Sequence, residues 1–142
     1  VRCLTVQQPW AWAIAHAGKD IENRTQLWSY RGPLAIHAGN RMSPRGFDDP
    51  RIRAAMGTEP PELLTGAILA VCDLVDVHFE VLGCCQPWGE QSYREPDGRV
   101  RTRITHMVLT DVRPLATPIP ASGRLGLWSP DEDLLAELQD SG

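Results

Sequence analysis

The chain predicts an α+β domain on three observations. About five apolar or alternating stretches with strand character are bounded by Gly- and Pro-rich turn signals. A helix with its own stop signal follows the first of them, and a capping box opens another helix near the far end. A length of 142 residues fits a single domain over 1–142, enough to bury roughly two-thirds of the surface exposed by the unfolded chain. Residues 129–142 are expected to form a C-terminal capping helix and tail.

Cys3 to Val6 reads as a short strand feeding the first helix. Pro9 suits the first helical position, Trp10, Ala13, Ile14 and Ala17 recur at helical spacing, and Gly18 suits the left-handed residue that closes a helix. Lys19 emerges directly after it. Thirteen arginines accompany this one lysine, which makes Lys19 a candidate for a task particular to an amine, the alternative being an exposed lysine favourable near the negative end of the helix dipole. If residues 20–24 are extended, Asp20, Glu22 and Arg24 share one face and Ile21 points to the other. Lys19 has the opposite parity and joins the charged face only if the turn at Gly18 rotates it there.

Gly32-Pro33 signals a turn before a strand from Leu34 to Ala38, in which His37 and Ala35 face away from Leu34 and Ile36. His37 is expected to be a hydrogen-bonded structural histidine, with ligand contact as the alternative. Asp48 or Asp49 can cap a helix that begins at Pro50 and closes at Gly57. Arg51 and Arg53 then lie at the positive end of the helix dipole, where they either meet an anion or act as solubilising charge. Ala67 to Val77 is the longest strand candidate, apolar at both parities in its first half and so buried on both faces.

Val81 to Trp88 is apolar and broken by Gly83 and Pro87, with Glu90 just beyond. Residues 91–103 form a hairpin turning at Pro96-Asp97-Gly98. Alternation would place Arg99, Arg101 and Arg103 on one face of its second arm, as a basic patch for nucleic acid or as a charged edge that resists pairing. Ile104 to Val112 is another strand, and Pro114, Pro118 and Pro120 keep the next stretch extended. The last helix reads Ser129 as cap, Pro130 first inside and Glu132 completing the box, with Leu134, Leu135 and Leu138 as its buried stripe.

Composition excludes some functions. The net charge of −4 argues against indiscriminate clinging to nucleic acid, although five acids lie in the tail and the remaining chain holds fourteen basic against thirteen acidic side chains. The longest apolar run, Ala67 to Cys72, is far short of the ~20 residues that span a bilayer, and a cytoplasmic location is expected. Cys3, Cys72, Cys84 and Cys85 have neither C-x-x-C zinc spacing nor a secreted disulfide framework. Cys84 and Cys85 can in principle join His78 around a metal, but reduced, partly buried thiols are expected, with no metal and no cofactor.

Gln8-Pro9-Trp10 followed by Ala17-Gly18-Lys19-Asp20-Ile21-Glu22-Asn23-Arg24 resembles the signature of the ASCH domains, Gly-x-Lys-x-x-Glu-x-Arg. Ala17 stands at the first glycine, with Gly18 one place later. Tyr30 to Ala38 and Gly126-Leu127-Trp128 are similar to bacterial members, so the resemblance runs from about residue 3 to 128. It implies a small, partly open β-barrel of the PUA-like type with helices packed around it.

The resemblance also implies a cleft at Lys19, Glu22 and Arg24 that holds single-stranded RNA, a nucleotide or a nucleoside. Lysine and arginine can meet phosphate or base acceptors, a carboxylate can accept from an exocyclic amine, and Trp10 or Trp128 can stack a base. The expected ligand contacts are Gln8, Trp10, Lys19, Glu22, Arg24, His37, Arg41 and Trp128. The alternative is a metal-independent hydrolase, either a ribonuclease or an amidohydrolase of acylated cytosine nucleosides, with Lys19, Glu22 and Glu90 as its catalytic groups. Amidohydrolases of that branch carry threonine where Glu22 stands, which places them second. A third class, a protein-interaction module, would need no pocket chemistry.

Overall fold

The computed structural model describes residues 1–141. In chain order the elements are β1 (Arg2–Gln8), α1 (Trp10–His16), β2 (Ile21–Arg24), β3 (Gly32–Met42), α2 (Pro44–Asp48), α3 (Pro50–Met56), β4 (Ala67–Phe79), β5 (Tyr93–Arg94), β6 (Val100–Arg101), β7 (Thr105–Pro120), β8 (Leu127–Trp128) and α4 (Glu132–Ser141). Six strands form one curled sheet in the order β2-β7-β4-β3-β1-β8, a half-barrel left open between β2 and β8. Only β1 and β3 pair in parallel among the described residues, and β5 with β6 makes a separate small hairpin. This is the α+β domain that the sequence predicts, with the partly open barrel that the resemblance implies.

Alternation along the strands divides the apolar residues between two cores. Leu4, Val6, Leu34 and Ile36 join Ile14 of α1 in the larger core, while Cys3, Ala35 and Ile68 join Trp128 and the α4 residues Leu134 and Leu138 in the smaller. Side chains such as Leu4, Ile14 and Ile36 are fully buried and contribute about 1.5–3 kcal/mol each. No helix among the described residues is long and apolar enough to cross a membrane.

Several local expectations change. Pro9 is the N-cap of α1 rather than its first residue, and it offers no side-chain acceptor. The buried Gln8 amide takes that role: its Oε1 accepts from Trp12 N at 2.8 Å and its Nε2 donates to Leu64 O at 2.8 Å. Gly32 and Pro33 lie inside β3, paired with Leu74 and Asp73, instead of preceding the strand. The short α2, capped by Ser43, escapes periodicity because it is a single turn.

Asp49 caps α3 as expected, with Gly57 at its close. The last helix is capped by Asp131, whose Oδ1 accepts from Leu134 N at 2.8 Å, so α4 starts later than the Ser-Pro signal suggests. Ser129 instead accepts from the Arg2 guanidinium. Replacing Asp131 by Ala should cost about 1 kcal/mol, read as a lower denaturation midpoint, whereas Ser129→Ala should cost clearly less. A larger loss at Ser129 would return the cap to that residue.

Candidate functional site

Helix α1 ends at Ala17, and Gly18 follows with φ +73°, a backbone conformation that glycine enters without strain. That turn swings Lys19 round to the charged face. Its Nζ donates to Ile21 O at 2.5 Å and to Glu22 Oε1 at 3.0 Å. The other carboxylate oxygen, Oε2, accepts from Arg24 Nε at 2.9 Å, and Arg24 Nη2 reaches across to Thr5 O at 2.9 Å. One carboxylate is thus held between two cations, one of them supplied against strand parity.

Exposure separates the roles within this trio. Lys19 is 2 % exposed and Glu22 is buried, while the Arg24 side chain keeps 27 % of its surface open. Burial alone would raise the Glu22 carboxyl, but Lys19 and Arg24 together outweigh it and hold the carboxyl below the usual carboxylate range. The trio is therefore a buried ion pair with one solvent-facing guanidinium. Lys19 makes both of its contacts as a donor, to a backbone carbonyl and to a carboxylate.

Around the trio stand residues from four further segments. Arg45 of α2 donates from Nη1 to both oxygens of Glu90 at 3.0 Å, and its guanidinium lies 4.2 Å from the centroid of Tyr93 and 4.9 Å from that of Trp10. Lys19 Nζ approaches the same Trp10 ring at 5.4 Å, so one indole bridges the two cations. Burial, with the charge of Glu95 next, raises the Tyr93 hydroxyl, which also feels Arg45, Glu22 and Arg24. Asn23 fixes the loop beyond β4 onto β2: its Nδ2 donates to Trp88 O at 3.0 Å and its Oδ1 accepts from Glu90 N at 2.9 Å. Lys19, Arg24 and Arg45 against Glu22 and Glu90 leave one positive charge over.

The fold thus brings Lys19, Glu22, Arg24, Trp10 and Glu90 together and adds Arg45, Tyr93 and Asn23, which the motif does not include. The only sequence sign of Arg45 is the arginine-rich stretch in which it lies. Trp10 is not a free stacking surface: it is 5 % exposed, its Nε1 donates to Ser43 Oγ at 3.0 Å, and Arg45 and Lys19 lie over its ring. Gln8 is committed to capping α1, and Arg41 is exposed on β3.

His37 and Trp128 belong elsewhere, with the smaller core. Trp128 Nε1 donates to Thr5 Oγ1 at 3.1 Å, Thr5 Oγ1 sits 3.2 Å from His37 Nδ1, and His37 Nε2 sits 2.6 Å from Ala121 O. A neutral ring protonated on Nε2 satisfies every member of this relay, which supports the structural reading of His37. A cleft of about 850 Å³ opens above it, lined by Thr5, Gly66, Pro120 and Gly123 among others. Its size does not make it the better candidate, because the polar groups at its floor are already paired with one another.

The arginine hairpin also differs from expectation. Arg99 pairs with Asp97 at 2.7 Å and Arg101 with Glu95 at 3.3 Å. Arg103 has φ +55°, which breaks the alternation, and its guanidinium lies 5.0 Å from the Phe79 ring. These three do not form one basic face. Arg51 is likewise committed to Asp49, at 2.6 Å.

The family model of the ASCH domain matches residues 4–115 of the 142-residue chain. That span runs from β1 into β7 and contains every residue of the charged cluster. No curated protein matches the chain.

Proposed function

The chain belongs to the ASCH domain family, which is generally associated with RNA binding, and on that premise we propose that it binds single-stranded RNA or a modified nucleotide at the Glu22-centred cluster. The observation that carries this reading is the division of labour at Glu22: the buried Lys19 and the carboxylate hold Arg24 in place, and Arg24 faces solvent. Arg24 Nη1 has no protein partner among the described residues, and Arg45 and Tyr93 stand nearby. Two planar guanidiniums suit phosphate oxygens or a base edge, and the Tyr93 ring offers a face for stacking once Arg45 turns to the ligand.

Binding is favoured over hydrolysis by the same geometry. A general base must lie within reach of the substrate, and Lys19 is 2 % exposed, with its Nζ set between Ile21 O and Glu22. Of the other catalytic candidates, Glu22 is held between Lys19 and Arg24, and Glu90 is held between Arg45 and Asn23. In this reading Lys19 is a positioning residue.

The test is incubation of the purified protein with single-stranded oligoribonucleotides and with a panel of acylated and methylated nucleosides, following binding by anisotropy or calorimetry and integrity by mass spectrometry. The expected result is saturable binding with the ligand recovered intact. Turnover that disappears in a folded Glu90→Gln variant would establish the hydrolase instead.

A further inference from the structure

Four metal-ligating groups outside the charged cluster converge at the open end of β4 and β7. His78 and His106 are direct register partners on these strands, with ring centroids 5.6 Å apart. The loop after β4 brings Cys84 and Cys85 over them. Cys84 Sγ lies 3.7 Å from His78 Nε2 and 3.5 Å from His106 Nδ1, and Cys85 Sγ lies 3.3 Å from His78 Nε2. One ligand atom from each of the four residues falls within 4.8 Å of all the others. A tetrahedral zinc with bonds of about 2.3 Å to sulfur and 2.05 Å to nitrogen separates a sulfur from a nitrogen by about 3.6 Å. The three observed separations bracket that value.

The loop is shaped to deliver the pair. Adjacent side chains on extended backbone point to opposite sides, but Cys85 has φ +65°, in the left-handed region, and both thiols turn to the same imidazole. A non-glycine residue stays there only when its surroundings hold it. Glu80 Oε1 accepts from Gly83 N at 2.5 Å, and Gly89 packs so closely that a Cβ would meet Cys85 O at 2.8 Å and Cys84 O at 2.9 Å.

The outer partners are in place as well. His78 Nδ1 contacts Asp76 Oδ2 at 2.7 Å and His106 Nε2 contacts Glu90 O at 2.9 Å, so each ring has its other nitrogen turned to the sulfurs. A carboxylate or a backbone carbonyl on the far nitrogen is the usual support of a metal-ligating histidine.

We propose that His78, Cys84, Cys85 and His106 bind a structural zinc ion. Four protein ligands complete a tetrahedron and leave no open position for a reacting water, which distinguishes a structural from a catalytic site, and a mixed thiolate and imidazole set favours zinc over magnesium or calcium. Bound there, the ion ties β4 and β7 to the loop that carries Trp88 and Glu90. The sequence offers Cys84, Cys85 and His78 as a possible set but not His106, which meets His78 only through the pairing of β4 with β7.

The test uses full-length protein without a histidine tag, purified under reducing conditions without chelator. Elemental analysis should find close to one zinc per chain. Cobalt added to the chelated protein should give tetrahedral ligand-field bands and a thiolate charge-transfer band, both displaced by zinc. The charge-transfer band should disappear in Cys84→Ser/Cys85→Ser. Asp76→Ala, at an exposed position, should keep the bands and weaken affinity by about 10–100-fold. Metal-free protein in which cobalt shows only its aqueous spectrum would overturn the proposal. So would a charge-transfer band that persists in the double serine variant, which would move the ligands to Cys3 or Cys72.

Discussion

Lys19→Ala is expected to destabilise the protein by about 3–5 kcal/mol, because it leaves the buried Glu22 carboxylate with one oxygen unpaired. In a chain of this size that corresponds to a melting temperature lower by roughly 10 °C or more. Arg24 remains on the other oxygen but is the more hydrated of the two cations. Removing both charges together, as Lys19→Met/Glu22→Leu, should recover most of the loss, since an apolar pair of similar volume replaces a buried ion pair at little cost. Urea denaturation of the wild type, the single variant and the double variant decides the matter. A single variant within 1 kcal/mol of wild type would refute the ion-pair account.

The acid limb gives a second reading of the same pair. The Glu22 carboxyl is depressed in the folded protein below its ordinary value of 4.5, burial opposing and the two cations together prevailing. A depressed carboxyl contributes stability that is fully present above its unfolded value and lost as pH falls through its folded value. Lys19→Ala weakens the depression. The stability gap between wild type and variant should therefore be widest near neutral pH and narrow as pH falls below 4.5.

Arg24→Ala and Arg45→Ala should each weaken RNA or nucleotide binding by about 10–100-fold, the loss of a charged hydrogen bond worth about 1.5–3 kcal/mol. If the lost contact is to a phosphate of a single strand, the slope of log K against log salt should become shallower by about 0.7. Arg24→Ala should also lower stability, since it unpairs the second Glu22 oxygen, so its binding is compared at a temperature where both proteins are folded. Arg45 is partly exposed, and its loss frees Glu90 to take water instead.

The hairpin provides the control. Arg99→Ala/Arg101→Ala removes one exposed and one half-buried guanidinium, both internally paired, and should change affinity by no more than about twofold. A greater loss there than at Arg45 would shift the ligand to the β5–β6 hairpin and set aside the Glu22-centred reading.

The sequence by itself determined the local features whose causes are local. Gly18 as helix terminator, an aspartate at 48 or 49 and Gly57 at the two ends of α3, and the two-sided burial of the first half of β4 follow from propensity and periodicity acting within a few residues. The Lys19, Glu22 and Arg24 motif was legible for the same reason, because one turn and one short strand place it. Parity alone sent Lys19 to the wrong face, and only the φ of Gly18 returned it.

The tertiary structure decided what depends on strands that pair far apart in the chain. Arg45 meets Glu90 and Tyr93 across 45 and 48 residues, and His106 meets His78 because β4 and β7 are in register. His37 and Trp128 fall away from the charged cluster because alternation on β3 and the pairing of β8 with β1 turn them to the smaller core. A one-residue change of register would exchange these faces. No local pattern encodes that choice, since register is settled by burial summed over the whole sheet.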